Sequence, residues 1–186
     1  VDLSNVTSSG VFNVSAVGQV QQVGLGSSIA VNALSVKTRS NGSISLANMS
    51  NNAAYVKLLS RNAADTAAGS GAISYYDTNG MSVSQIQSTG TVTLTTGGVI
   101  DTDATNVLGS GLVEATNLTI KTLSNAGAGV ILTNASNDIG TLNVSVRNAA
   151  DTAAAGSTAT ENTTTGAGGA VRVSDTNGFI VGSLQT

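Results

Sequence analysis

Apolar and polar side chains alternate in short bursts along almost the whole chain. The bursts read VFNVSA, ALSVKT, SISLA, YVKLL, AISYY, MSVSQI, TVTLT, NLTIKT, GVILT, TLNVSV, AVRVS and FIVGSL. An apolar residue at about every second position is the mark of a strand with one buried face. Gly, Asn, Asp and Ser separate the bursts at spacings of roughly ten residues. The tetrapeptide DTNG occurs twice; its Asp starts a turn and its Gly tolerates positive φ. No stretch carries a 3.6-residue period. RNAADTAA is rich in Ala but interrupted by Asn, Asp and Thr, so it is expected to form a loop.

RNAADTAA itself stands at residues 61–68 and again at 147–154, 86 residues apart. The match extends well beyond it. LSVKTRSNG at Leu34 answers LTIKTLSNA at Leu118, and SISLANMSN around Ile44 answers GVILTNASN around Ile131. YYDTNGMSVSQI at Tyr75 answers VSDTNGFIVGSL at Val173, and GVFNVSAVGQV at Gly10 answers GTVTLTTGGVI at Gly90. Nearly the whole chain is therefore two tandem units, approximately 1–80 and 81–186. The second carries a loop insertion at 156–169. The length changes fall at Gly-, Asn- or Thr-rich points, as insertions into loops of a regular scaffold do.

Composition selects among all-β architectures. Charged residues make up 9 % and aromatics 3 %, and Pro, Cys, Trp and His are absent. Sandwiches and propellers usually use aromatic anchors and Pro turns, which are missing here. Thin layers of Val, Ile and Leu with small polar corners suit a right-handed parallel β-helix. Leu34 and Val56, and in the second unit Leu118 and Leu142, keep a spacing near that of one coil. The expected fold is all-β: one β-solenoid segment over residues 1–186, with about eight coils in two tandem units. The start at Val1 without Met, and the lack of an amphipathic capping helix, suggest a segment cut from something longer or stacked end to end with copies of itself.

At this point the residues resemble a family. TGTVTLTTGGVIDTDATN (89–106), NLTIKTLSNAGAGVILTNASNDIGTLNVSV (117–146) and DTNGFIVGSL (175–184) are similar to the repeat regions of filamentous-haemagglutinin-like exoproteins. The resemblance implies a right-handed β-helix, two-partner secretion, an extracellular rod, and adhesive or matrix-building roles. The N-terminal secretion domain of such proteins is not recognisable here.

Few residues suggest chemistry. Asp101 and Asp103 are the closest acidic pair; they suit a calcium site or a carboxylate couple, or simply a hydrated turn after a strand, which is preferred. Calcium wants six to eight oxygens, the glycine-rich nonapeptide of calcium β-rolls is absent, and the first unit has Gln19 and Gln21 near the matching place. Asp65 and Asp151 each follow an Arg by four residues (Arg61, Arg147), which suits a surface ion pair or an Asp-capped turn better than a presented binding motif. Asn-x-Ser/Thr sequons occur at Asn5, Asn13, Asn41, Asn48, Asn117, Asn134, Asn143 and Asn162, with Asn13 and Asn143 expected to point outward. Gly97-Gly98 and Gly168-Gly169 are turns, since the Lys and Ser/Thr of a phosphate loop are missing. Tyr55, Tyr75 and Tyr76 suit the wall of the fold better than a binding patch. Without His or Cys there is no Ser-His-Asp triad and no common zinc site.

The expected function is therefore structural and non-enzymatic, with no catalytic residue, metal or cofactor. It is a repeat segment of a secreted bacterial surface protein, forming a rod or extracellular fibre used in adhesion or matrix building. Expected partners are further copies joined end to end, or glycans or proteins of a host or neighbouring cell. The mildly acidic chain has no basic stripe and no 18-residue apolar run, so neither nucleic acid nor membrane insertion is expected. The location is extracellular or at the cell surface. The alternatives are a β-helical polysaccharide-active enzyme and a glycan- or ice-binding solenoid. Ice-binding faces show regular Thr-x-Thr ladders, whereas TVTLTT at Thr91 has VFNVSA as its twin, so no ladder is expected.

Overall fold

A computed structural model describes residues 1–152 and 169–186. It contains fourteen strands and no helix among the described residues. The strands are β1 (Asp2–Leu3), β2 (Val6–Ala16), β3 (Val20–Gln22), β4 (Ile29–Thr38), β5 (Ile44–Leu46), β6 (Asn52–Ser60), β7 (Ile73–Asp77), β8 (Met81–Thr96), β9 (Ile100–Thr102), β10 (Leu112–Leu123), β11 (Val130–Leu132), β12 (Asp138–Arg147), β13 (Val171–Val173) and β14 (Ile180–Gln185). Each alternating burst falls on a strand. The structure adds β1, β3 and β9, which are too short to show a period.

All fourteen belong to one sheet, and every strand pairing is parallel. The order β1-β3-β5-β7-β8-β10-β12-β14 makes one unbroken column of eight strands among the described residues. Beside it, β2, β4, β6 and the first half of β8 stack on one another. A third set stacks β9, β11 and β13. The chain thus returns repeatedly to lie on its own preceding turn. The expected spacing holds: Leu34 pairs with Val56, and Leu118 with Leu142.

Stacking in register turns each inward position into a ladder. Val20, Ile44, Ile73, Val92, Leu118, Leu142 and Val181 follow one another level by level. So do Val14, Val36, Leu58, Ile86 and Val113. Nearly all of these are fully buried between the levels above and below. The core is this set of aliphatic ladders, about one residue thick at each rung. Stability is therefore a sum over neighbouring levels, at roughly 25 cal/mol per Å² of apolar surface covered.

The tandem units repeat several of their contacts with the same atoms. Asn51 accepts from Ile29 N at 2.9 Å, and its twin Asn137 accepts from Val113 N at 2.8 Å. Thr78 Oγ1 donates to Met49 O at 2.8 Å, and Thr176 Oγ1 to Ala135 O at 3.0 Å. Yet the second unit does not sit on the first twin upon twin. Across the first unit and into the start of the second, residues 11–16, 33–38, 55–59 and 82–87 share a column, and 20–22, 44–46 and 73–77 share another. Their twins in the second unit are 91–96, 117–122, 141–146 and 180–185, and 100–102, 130–132 and 171–173. At the junction, 92–96 sit on 73–77, and 100–102 sit on 81–83. The second unit is seated one column around from the first.

Candidate functional surface

The repeated word forms the same brace in both units. Lys37 Nζ lies 2.6 Å and Arg61 Nε 3.3 Å from the Asp65 carboxylate, while Arg61 Nη1 donates to Gln87 Oε1 at 2.9 Å. In the second unit Lys121 lies 2.9 Å and Arg147 3.0 Å from Asp151, and Arg147 Nη1 donates to Gln185 Oε1 at 3.2 Å. Asp65 and Asp151 take positive φ, 57° and 56°, which Asp tolerates better than most residues. The hydrogen bond from Lys37, then Arg61, holds the Asp65 carboxyl below its usual range; Lys121, then Arg147, does the same for Asp151. Each brace joins three levels of the stack, and its charged groups are turned on one another. This geometry is that of a capped loop. Ala153, Ala154, the rest of the insertion up to 168, Gly168 and Asn162 lie outside the described residues.

Asp101 and Asp103 do not form a couple. Asp101 is half-buried on β9 and accepts from Ser82 Oγ at 2.6 Å. Asp103 is 2 % exposed, which corrects the expectation of a hydrated turn. It accepts from Ser84 Oγ at 2.6 Å, Thr105 N at 2.9 Å, Thr105 Oγ1 at 2.7 Å and Val107 N at 2.8 Å. Burial alone would raise its pKa, but these donors outweigh burial and hold it below the usual range. The alternation continues past Thr102 and carries Asp103 inward, where the loop that follows wraps its carboxylate. Among the described residues no group of three or more Asp, Glu, His or Cys is placed to hold a metal.

The tyrosines do not share a patch. Tyr75 is buried, and its hydroxyl donates to Asp77 Oδ2 at 3.0 Å. Burial, then the Asp77 charge, pushes that hydroxyl well above its ordinary pKa. Tyr55 and Tyr76 are half-buried on outward strand positions. Among the sequons, Asn13 is exposed as expected and so is Asn117, while Asn143 is half-buried and accepts from Ser183 Oγ at 3.0 Å. Asn5, Asn41, Asn48 and Asn134 spend their amides tying corners together. Gly97 and Gly98 are a turn, and a Cβ at either would collide with the backbone of Thr78 or Asn79 on the level beneath.

Two features were invisible to pattern reading. The first is a set of corner acceptors, three of them buried and Asp175 half-buried. Asn51, Asp77, Asn137 and Asp175 each accept the backbone N–H of a residue at or next to the start of a strand on the preceding level: Ile29, Ala53, Val113 and Ile139. Parallel strands that turn a corner leave such donors without a backbone partner, and a side-chain oxygen supplies the acceptor. The sequence signal was the recurrence of MSNN and ASND at one offset, which looked like ordinary turn chemistry. The second is a polar grid on the outward side of the long column. Ser45, Ser74, Thr93, Thr119, Asn143 and Ser183 stack in register. Beside them run Tyr76, Thr95, Lys121, Ser145 and Gln185. Among these stacked positions Thr-x-Thr occurs on β8 alone, at Thr93 and Thr95, so the grid is a mixed polar one and no regular Thr-x-Thr ladder is maintained.

Comparison with known proteins leaves the architecture to stand alone: no family model, no curated protein and no solved structure matches this chain.

Proposed function

We propose that the chain is a structural repeat segment of a secreted bacterial surface protein, a right-handed β-helical rod that extends or joins into a fibre for adhesion or matrix building. The observation that carries this reading is the unbroken column of eight parallel strands, with aliphatic ladders inside. Such a column bonds each level to the next through its whole backbone, which suits a part that bears length and resists proteases. Levels about 4.8 Å apart make eight of them only about 40 Å tall, so reach comes from multiplying the unit. Electron micrographs and solution scattering test the reading. Elongated particles or thin fibres support it, whereas a compact sphere, or turnover of a polysaccharide by the purified chain, counts against it.

The polar grid favours a second reading, a flat face that binds glycan or ice. Its polar side chains, mostly hydroxyls, are spaced at about 4.8 Å up the column and about 7 Å along each strand. Retention on insoluble polysaccharide, lost in Thr93→Tyr with Thr119→Tyr, supports this reading; equal retention of both proteins argues against it.

A further inference from the structure

Three segments are versions of one strand: VDLSNVTS at 1–8, MSVSQIQS at 81–88 and FIVGSLQT at 179–186. The structure bears out the equivalence. Asp2 pairs with Gln21 as Ser82 pairs with Asp101, and Val6 pairs with Ile29 as Ile86 pairs with Val113. Gln21 Nε2 donates to Asp2 Oδ1 at 2.8 Å, and Ser82 Oγ donates to Asp101 Oδ1 at 2.6 Å. On the other edge, Lys57 pairs with Gln85 as Asn143 pairs with Ser183, and Arg61 reaches Gln87 as Arg147 reaches Gln185.

Among the described residues only the middle version is paired on both edges. Residues 55–59 lie under it, and 100–102 and 112–115 lie over it. Val83 and Ile86 are consequently 0 % exposed. Among the described residues, 179–186 have the lower neighbour alone, and their matching Val181 and Leu184 are each 58 % exposed. Residues 1–8 have the upper neighbours alone: β3 and the start of β4. The last segment thus lacks the surface that the first segment occupies. An apolar hollow lined by Leu142, Val144, Val171, Val173, Phe179 and Leu184 marks the uncovered place.

We propose that two copies of this chain join by strand exchange: β14 of one copy takes the place of residues 1–8 of the next, pairing with that copy's β3 and β4. The partner is a second copy because the chain contains the completed junction as a pattern. There 73–77 carry 92–96. In the exchanged joint Val171 and Val173 carry Phe12 and Val14, which are themselves half-buried. Stacking the two ends without exchange would instead place two versions of one strand on top of each other, an arrangement found nowhere among the described residues. The proposal rests on the rod reading and supplies its joint.

Cysteine pairing tests it in residues 1–186, which contain no cysteine. Ile180→Cys with Gln21→Cys puts thiols on paired positions of the exchanged joint, as Ser82 pairs with Asp101. Paired strands bring Cα atoms to about 4.8 Å, within disulfide reach. Inside one chain the two sit six levels, roughly 29 Å, apart. Under mild oxidation a ladder of reducible multimers is expected, and each single variant stops at dimers. A ladder from Ile180→Cys with Asp2→Cys but not from the first pair means stacking without exchange and overturns the proposal. Absence of any ladder overturns it too. A synthetic peptide of residues 179–186, in excess, is expected to collapse the ladder by filling the vacated place; a ladder indifferent to it refutes the assignment. Scattering from the monomer reads the rod shape separately, so an elongated chain that never joins sinks the exchange and leaves the rod reading intact.

Discussion

Asn51→Ala removes the most heavily used corner amide of the first unit. The side chain is fully buried and makes four hydrogen bonds. Its Oδ1 accepts from Ile29 N at 2.9 Å and Gln22 Nε2 at 2.8 Å; its Nδ2 donates to Gln22 Oε1 and Leu46 O, both at 2.9 Å. Gln22 is half-buried and can turn to water when its partner goes. Ile29 N is buried and loses its acceptor, which costs about 1–3 kcal/mol, and loss of the bond to Leu46 O adds about 1 kcal/mol. The expected loss is therefore about 2–4 kcal/mol. With a urea slope of about 2–3 kcal/mol per M, the unfolding midpoint moves down by about 1 M. Its twin Asn137→Ala, which frees Val113 N, is expected to fall in the same range. Asn48→Ala is the control: it is half-buried, donates to Ser27 Oγ at 3.3 Å, and should change stability by less than about 1 kcal/mol. Urea unfolding followed by circular dichroism decides. A midpoint for Asn51→Ala within about 0.3 M of the parent would refute the claim that corner side chains complete the backbone bonding of this stack.

Other outcomes are open to measurement. Leu94→Ala, in the fully buried ladder between Tyr75 and Ile120, should cost about 2–5 kcal/mol by the same assay; a cost below about 1 kcal/mol would mean that the levels collapse to fill the gap. Gly98→Ala should destabilise the turn over Asn79, whereas Gly24→Ala meets open space and carries only the strain of its positive φ; equal melting shifts would discount the close approach. The carboxyls of Asp65, Asp103 and Asp151 titrate below the ordinary 3.8 in the fold. The folded state then binds fewer protons than the unfolded one as pH falls, so their stabilisation is complete above about pH 4 and lost below it. Melting temperature should stay level from pH 7 to 5 and drop beneath 4, with Asp103→Asn making the drop shallower; an unchanged drop in that variant would remove Asp103 from the account.

Much of the fold was legible because a strand buried on one face must alternate. TVTLT, NLTIKT and TLNVSV announce both their conformation and their inward residues, and turn letters mark their ends. The spacing of Leu34 from Val56 gave the coil length for the same reason: a layer one residue thick demands an apolar rung at each return. Asp103 was misjudged because a carboxylate in a turn is ordinarily wet, and nothing local shows Ser84 waiting opposite. The corner acceptors were missed since Asn in a turn looks alike whether it bonds its own loop or the preceding level.

By itself the sequence determined the conformation of the longer segments, the twofold repetition of the chain, and which apolar side chains of the alternating bursts face inward, because those follow from covalent neighbours and from aversion to water. Tertiary structure decided which segment lies on which. The offset of one column between the units depends on where each corner turns, and that depends on backbone donors and acceptors far apart in the chain. The polar grid and the two half-covered strands at residues 1–8 and 179–186 exist only once that choice is made.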